Sequence, residues 1–150
     1  MSIVDGWYDT FVGDPVPAPE LRLLDALFRL SKSVLADART HVAAAADLDL
    51  ADFLTLRTVK FGVNTPGGLV QDLGLNPAVV SRALTRLANA GLIERRIDPD
   101  DSRRSRVELT EEGIRTTAAI AARVRPGLAQ RLERLDPDQV QALLTGLETL

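Results

Sequence analysis

Seven arginines crowd into one stretch of this chain, Asn76–Leu109: Arg82, Arg86, Arg95, Arg96, Arg103, Arg104 and Arg106, out of 18 Lys and Arg in the whole sequence. Five acids share the stretch (Glu94, Asp98, Asp100, Asp101 and Glu108), so it carries +2 while the remainder of a −3 chain carries −5. A guanidinium can fork onto two phosphate oxygens, or onto O6 and N7 of a guanine. Arg82 and Arg86 are four residues apart and share one face of any helix. No Asp or Glu lies between Pro77 and Gly91, so neither has an acid partner within that helix. Ser81 can donate to a base or a phosphate, and Ala78 and Val79 offer apolar surface to a thymine methyl group. Residues of these types on the N-terminal half of a helix are suited to reading base edges in a DNA major groove. A second group, Asp101-Ser102-Arg103-Arg104, puts mixed charge on a turn. Arg103 or Arg104 suits the negative potential of a narrow minor groove. An acid facing phosphate would cost affinity, so Asp101 is expected to pair with an arginine.

These residues need a scaffold, and the local signals describe one. Thr65-Pro66 and Asn76-Pro77 each read as a cap followed by proline in the first helical turn. They open helices over 66–73 and 77–90, closed by Gly74 and Gly91. Their starts, at Thr65 and Asn76, are places where backbone N–H groups can hold phosphates. Two short helices joined by Leu73-Gly74-Leu75-Asn76 form a helix-turn-helix pattern. In the second helix Val80, Ala83, Leu84 and Leu87 face inward by spacing. Residues 92–97 then read as a strand, DPDDSR as a polar turn, and 104–109 as a strand whose Ser105, Val107 and Leu109 share one face. A hairpin placed directly after a helix-turn-helix makes a winged helix.

Flanking helices complete the order. Steps of three and four from Leu21 through Val42 predict a long amphipathic helix over 19–45. Asp49 with Asp52 caps a helix running through Phe61. Thr110 caps a helix whose buried stripe is expected at Ile114, Ala118, Ala121, Val124, Leu128, Leu132 and Leu135, with a kink or break at Pro126-Gly127. Asp136-Pro137 starts a final helix lined by Val140, Leu143, Leu144, Leu147 and Leu150. The expected fold is therefore mainly α with a small β-hairpin wing.

Composition narrows the chemistry. Cysteine is absent and His41 is the only histidine, so thiolate and histidine-rich metal sites are excluded, and no cofactor motif is present. His41 itself is expected to be a packing or solvent-edge residue. No Gly-rich phosphate loop and no nucleophile–base constellation points to an enzyme. No apolar run approaches the ~18 residues of a membrane span, and the start MSIVDGWYDTF lacks the pattern of a signal peptide. The expectation is a cytoplasmic, non-enzymatic protein.

Leu73-Gly74-Leu75, Val80-Ser81-Arg82, Leu84-Thr85-Arg86-Leu87, Gly91-Leu92-Ile93-Glu94-Arg95, Asp98-Pro99-Asp100-Asp101-Ser102-Arg103 and Leu109-Thr110-Glu111-Glu112-Gly113 together resemble the MarR family of bacterial transcriptional regulators. The resemblance implies a single domain over 1–150. Its parts would be an N-terminal arm at 1–18 carrying Trp7 and Tyr8, a helical dimerisation region at 19–48 and 114–150, and a winged helix-turn-helix lobe at 49–113. It implies a homodimer on double-stranded DNA, reading a pseudo-palindromic operator with half-sites about one helical turn apart. By position, Ser81, Arg82 and Arg86 look like recognition-helix contacts, Arg103 like the minor-groove arginine and Asp101 like the acid bracing the wing. It further implies a repressor released by a small ligand, often aromatic or phenolic, bound between the dimerisation region and the DNA-binding lobe. Two other readings fit the residues: a winged-helix module for protein interaction, and a DNA-binding protein that no ligand controls.

Overall fold

The computed structural model describes residues 18–150, apart from the side chains of 102 and 103. The arm with Trp7 and Tyr8 lies outside the described residues. Six helices and one hairpin follow in the order α1 (Pro19–Ala45), α2 (Leu50–Lys60), α3 (Pro66–Leu73), α4 (Pro77–Asn89), β1 (Ile93–Asp98), β2 (Asp101–Leu109), α5 (Glu111–Leu132) and α6 (Pro137–Thr149). The chain divides at Leu35 into two units, the second being Ala36–Leu150. No described helix is long and apolar enough to cross a membrane.

Local chemistry accounts for most helix ends. Thr65 accepts from the Gly68 N–H at 3.1 Å, and Asn76 Oδ1 accepts from the Ala78 N–H at 2.8 Å. Each cap satisfies one of the amides that a helix start leaves without a partner. Between α3 and α4 the chain turns at Gly74, whose φ of 61° suits a residue without a Cβ. The four buried residues of α4 are the expected Val80, Ala83, Leu84 and Leu87.

Of these, Val80, Leu84 and Leu87 join Leu56 and Val59 of α2, Leu69 of α3, Leu92 just before the hairpin, and Ile93 and Val107 within it in one core. Burying a side chain of this size contributes roughly 1.5–3 kcal/mol, so this cluster is what fixes α4 against the wing. The hairpin is antiparallel, with Ile93 opposite Leu109 and Arg95 opposite Val107. The loop before α3 is tied to it by the Val107 N–H donating to the Asn64 carbonyl at 2.7 Å. Within the second unit, Ala38, Val42, Phe53, Ile120 and Val124 form a separate core.

Four expectations need correction. β2 begins at Asp101 and not at Arg104, so the turn is confined to Pro99 and Asp100, with a register shift at Ile97/Asp98. The buried residues of α5 are Gly113, Thr117, Ile120 and Val124, whereas Ile114 and Ala118 are exposed. The cause is the docking of the helix start. The Thr110 hydroxyl donates to the Gly91 carbonyl at 2.6 Å, and the Thr110 N–H donates to the Leu92 carbonyl at 3.1 Å. Gly113 then sits so near that a Cβ on it would run into the Leu92 carbonyl oxygen. Thirdly, of the kink or break expected at Pro126, the break does not occur, and α5 continues to Leu132. Ala122, four residues earlier, is exposed like Pro126, so the carbonyl that loses its helix donor lies on the solvent side. Gly127 serves a different purpose: a Cβ there would lie 2.5 Å from Asp37 Oδ2. Finally, of the apolar stripe expected along α1, only Ala38 and Val42 are buried. Leu21, Leu24, Leu27, Phe28 and Leu35 are exposed, as are Leu143, Leu144, Leu147 and Leu150 at the other end of the sequence.

Candidate nucleic-acid interface

Helix α4 turns Ala78, Ser81, Arg82, Thr85, Arg86 and Asn89 outward, with Val79 half-buried. The two arginines differ sharply. Among the described residues Arg82 has no ion-pair partner. Arg86 is engaged: its Nη2 donates to Asp49 Oδ2 at 2.6 Å and to Asp52 Oδ1 at 2.9 Å, and its Nε donates to Asp52 Oδ1 at 3.2 Å. The absence of an acid within the helix had left Arg86 without a local partner; the acids come from the start of α2, 37 and 34 positions away.

Asp49 and Asp52 also cap α2 reciprocally, the Asp52 N–H donating to Asp49 Oδ1 at 2.9 Å and the Asp49 N–H to Asp52 Oδ2 at 3.0 Å. Asp52 is only 1% exposed. Burial lifts its carboxyl above the usual carboxylate range, against the backbone N–H of Asp49 and the guanidinium of Arg86, which both favour the charged form. Arg86 is in turn held more firmly charged, chiefly by its bond to Asp52.

The wing carries the remaining cations. Arg104 Nε lies 3.6 Å from Asp101 Oδ2, with Arg104 exposed and Asp101 half-buried. The side chain of Arg103 lies outside the described residues. Arg96 reaches Glu94 and Glu108, each at 3.3 Å, across the exposed face. Arg106 Nε donates to Asp98 Oδ2 at 3.3 Å. Asp98 is a residue that the sequence reading passed over. Its Oδ1 accepts from the Asp100 N–H at 3.0 Å, closing the turn in the manner of an Asx motif. That backbone N–H, with Arg106 second, holds the Asp98 carboxyl below the usual carboxylate range. An Asp two residues before another turn residue was the available signal.

An open cleft of about 390 Å³ runs between the start of α3 and the wing, lined by Thr65, Pro66, Gly67, Arg104 and Ser105. The structure thus brings the Thr65 helix start and Arg104 to one place. Among the described residues no group of His, Cys, Asp or Glu side chains could hold a metal ion. His41 is half-buried beside Asp37, with Nε2 3.5 Å from Oδ1.

A helix-turn-helix whose second helix offers an acid-free outer face, followed by a hairpin with cations at its tip, defines a winged helix-turn-helix protein of the DNA-binding class. Residues 46–104 match the model of the MarR family. Among solved structures, BldR from Sulfolobus solfataricus, a transcriptional regulator, superposes with a TM-score of 0.80 at 19% identity, over 99% of this chain and 96% of that one. A mutant MarR from E. coli complexed with operator DNA matches at 25% identity and a TM-score of 0.71, over 90% and 98%. CouR from Rhodococcus jostii bound to p-coumaroyl-CoA matches at 22% and 0.77, over 89% and 94%. Among curated proteins none matches the chain in sequence. Over residues 46–104 the chain is similar to the MarR family, and its fold is that of the solved MarR-family winged-helix regulators.

Proposed function

We propose that the chain acts as a homodimeric, sequence-specific repressor that reads a pseudo-palindromic operator and is released from it by a small aromatic or phenolic ligand. The observation that carries the DNA reading is the outer face of α4, where Ser81 and Arg82 stand exposed at the N-terminal half of a helix anchored by four buried apolar residues. Arg82 reads a base edge, Ser81 donates beside it, and Ala78 and Val79 meet thymine methyl groups. Phosphates lie at the starts of α3 and α4, at Thr65 and Asn76, and along the cleft that Arg104 lines. The Asp101–Arg104 pair is worth little in water and exchanges readily for phosphate. Arg103 enters the minor groove, with Asp101 supporting the wing. The operator complex of the E. coli relative supports the DNA reading, and the acyl-CoA complex of CouR supports a small-ligand partner. The exposed apolar residues of α1 and α6 support a second copy of the chain as partner.

Selection of bound fragments from genomic DNA, followed by titration, tests this. Palindromic sites are expected, and Arg82→Ala should weaken binding to them by about 1–3 kcal/mol while leaving random duplex nearly unaffected. Affinity should fall steeply with salt. Equal binding of selected and random duplex would sink the reading.

A further inference from the structure

We infer that Arg86 is a positioning residue of the reading helix, held by the capping carboxylates of α2, and not one of the side chains that read DNA. The inference rests on the DNA-binding reading above and assigns one residue of that surface a different task.

Four carboxylate oxygens and four donors close on one another at this point. Asp49 Oδ1 accepts the Asp52 N–H and Asp52 Oδ2 accepts the Asp49 N–H. The other two oxygens, Asp49 Oδ2 and Asp52 Oδ1, accept from Arg86. Every oxygen of the capping pair therefore has a donor, and the arginine completes a helix start that lies far from it in sequence. A buried carboxylate without its cation is costly, so Asp52, 1% exposed, holds the guanidinium against withdrawal toward a phosphate. The planar fork that serves both carboxylates at once is a property of arginine, which lysine does not share. Arg86 lies in the last turn of α4 and Arg82 one turn earlier on the same face. Fixing the first sets the rotation of α4 about its own axis, and with it the direction in which Ser81 and Arg82 point. Reading groups must be held to a fraction of an ångström by their supports, so a loosened Arg86 would blunt discrimination at positions it never touches.

The test compares Asp52→Asn, Arg86→Gln, the double variant and Asp49→Asn in the full-length protein. Affinity for a selected operator and for random duplex is measured over a salt series, with circular dichroism as the check on folding. If Arg86 positions the helix, Asp52→Asn and Arg86→Gln each lose about tenfold or more in operator affinity, the double variant loses no more than the worse single, and the slope against salt stays at the wild-type value. Asp49→Asn, at the exposed member of the pair, loses affinity in the same direction and decides the matter should Asp52→Asn fail to fold. Arg86→Gln losing affinity while the aspartate variants keep or gain it would overturn the inference, since freeing a DNA-contacting arginine from its acids strengthens binding. A salt slope reduced by about one in Arg86→Gln would overturn it too, by marking a phosphate contact. No loss in any variant overturns it equally. A wild-type protein that prefers no sequence is a separate outcome, which removes the regulator reading and this inference with it.

Discussion

Asp52 and Asp98 are both buried aspartates facing an arginine, and their environments drive them in opposite directions. Asp52 has lost more to desolvation than its donors return, so its carboxyl lies above the usual range. Asp98 gains from the Asp100 N–H and Arg106, and lies below it. A carboxyl whose folded pKa is depressed contributes stability at all pH above its unfolded value, and that contribution is lost as pH falls through the folded one. The turn that Asp98 closes should therefore persist well into the acid range and loosen only below about pH 4, the ordinary Asp value. Carbon-detected NMR titration of the Asp98 carboxyl would check this, the expected midpoint lying below that of a solvated aspartate. Arg106→Gln should bring the midpoint part of the way back; a midpoint at the ordinary value in both proteins would show that neither bond is formed. None of this could be read from the sequence, since Asp98 stood among three turn acids with nothing to mark it as the buried one. Arg86 was opaque for a related reason. Its helix contains no acid, and the pairing with Asp49 and Asp52 depends on the tertiary approach of α2 to α4.

Among the helices and the hairpin, what could be read in advance divides along the same line. Caps act over two or three residues, so Asp49, Thr65, Asn76, Thr110 and Asp136 all mark the helix starts that the structure has. The inward face of α4 follows from its own period. The stripe of α5 was placed one step off because its rotation is set by Gly113 pressing on Leu92, a contact between elements that periodicity does not contain. This contact yields a prediction in which two effects compete. Alanine at an ordinary helical glycine gains roughly 1 kcal/mol in propensity. At Gly113 the added methyl would meet a backbone carbonyl that is itself bonded to the Thr110 N–H and cannot yield freely. Overpacking of that kind costs about 1–3 kcal/mol, so Gly113→Ala should lower the urea midpoint even though it favours helix. Gly146→Ala is the control, in a helix where a Cβ meets nothing within 4 Å, and it should leave the midpoint unchanged or raise it. A stabilised Gly113→Ala protein would mean that the close approach is not what sets α5 against the hairpin.

Among the described residues, large apolar side chains stand exposed on α1 and on α6. Leu24 is 63% exposed and Phe28 67%, and both lie on a helix whose sequence periodicity is that of a buried stripe. Large exposed apolar patches on a soluble protein mark interaction surfaces. The helix expected over 19–45 is present as Pro19–Ala45, and the large apolar residues of its first half are exposed among the described residues. The proposed operator, with half-sites one turn apart, would require two reading heads, and a second copy of the chain would supply the second. Sedimentation of the full-length protein should give twice the 16.3 kDa chain mass at micromolar concentration. Phe28→Asp places a charge in the proposed interface, where an unpaired buried charge is strongly unfavourable. That variant should sediment as a monomer, keep the core fold of Ala36–Leu150 and lose operator affinity by far more than Arg82→Ala does, because one head then binds without the effective concentration supplied by the other. A Phe28→Asp protein that stays dimeric would assign the interface to other residues. A monomeric wild-type protein that still selects palindromic sites would require the two copies to meet only on DNA.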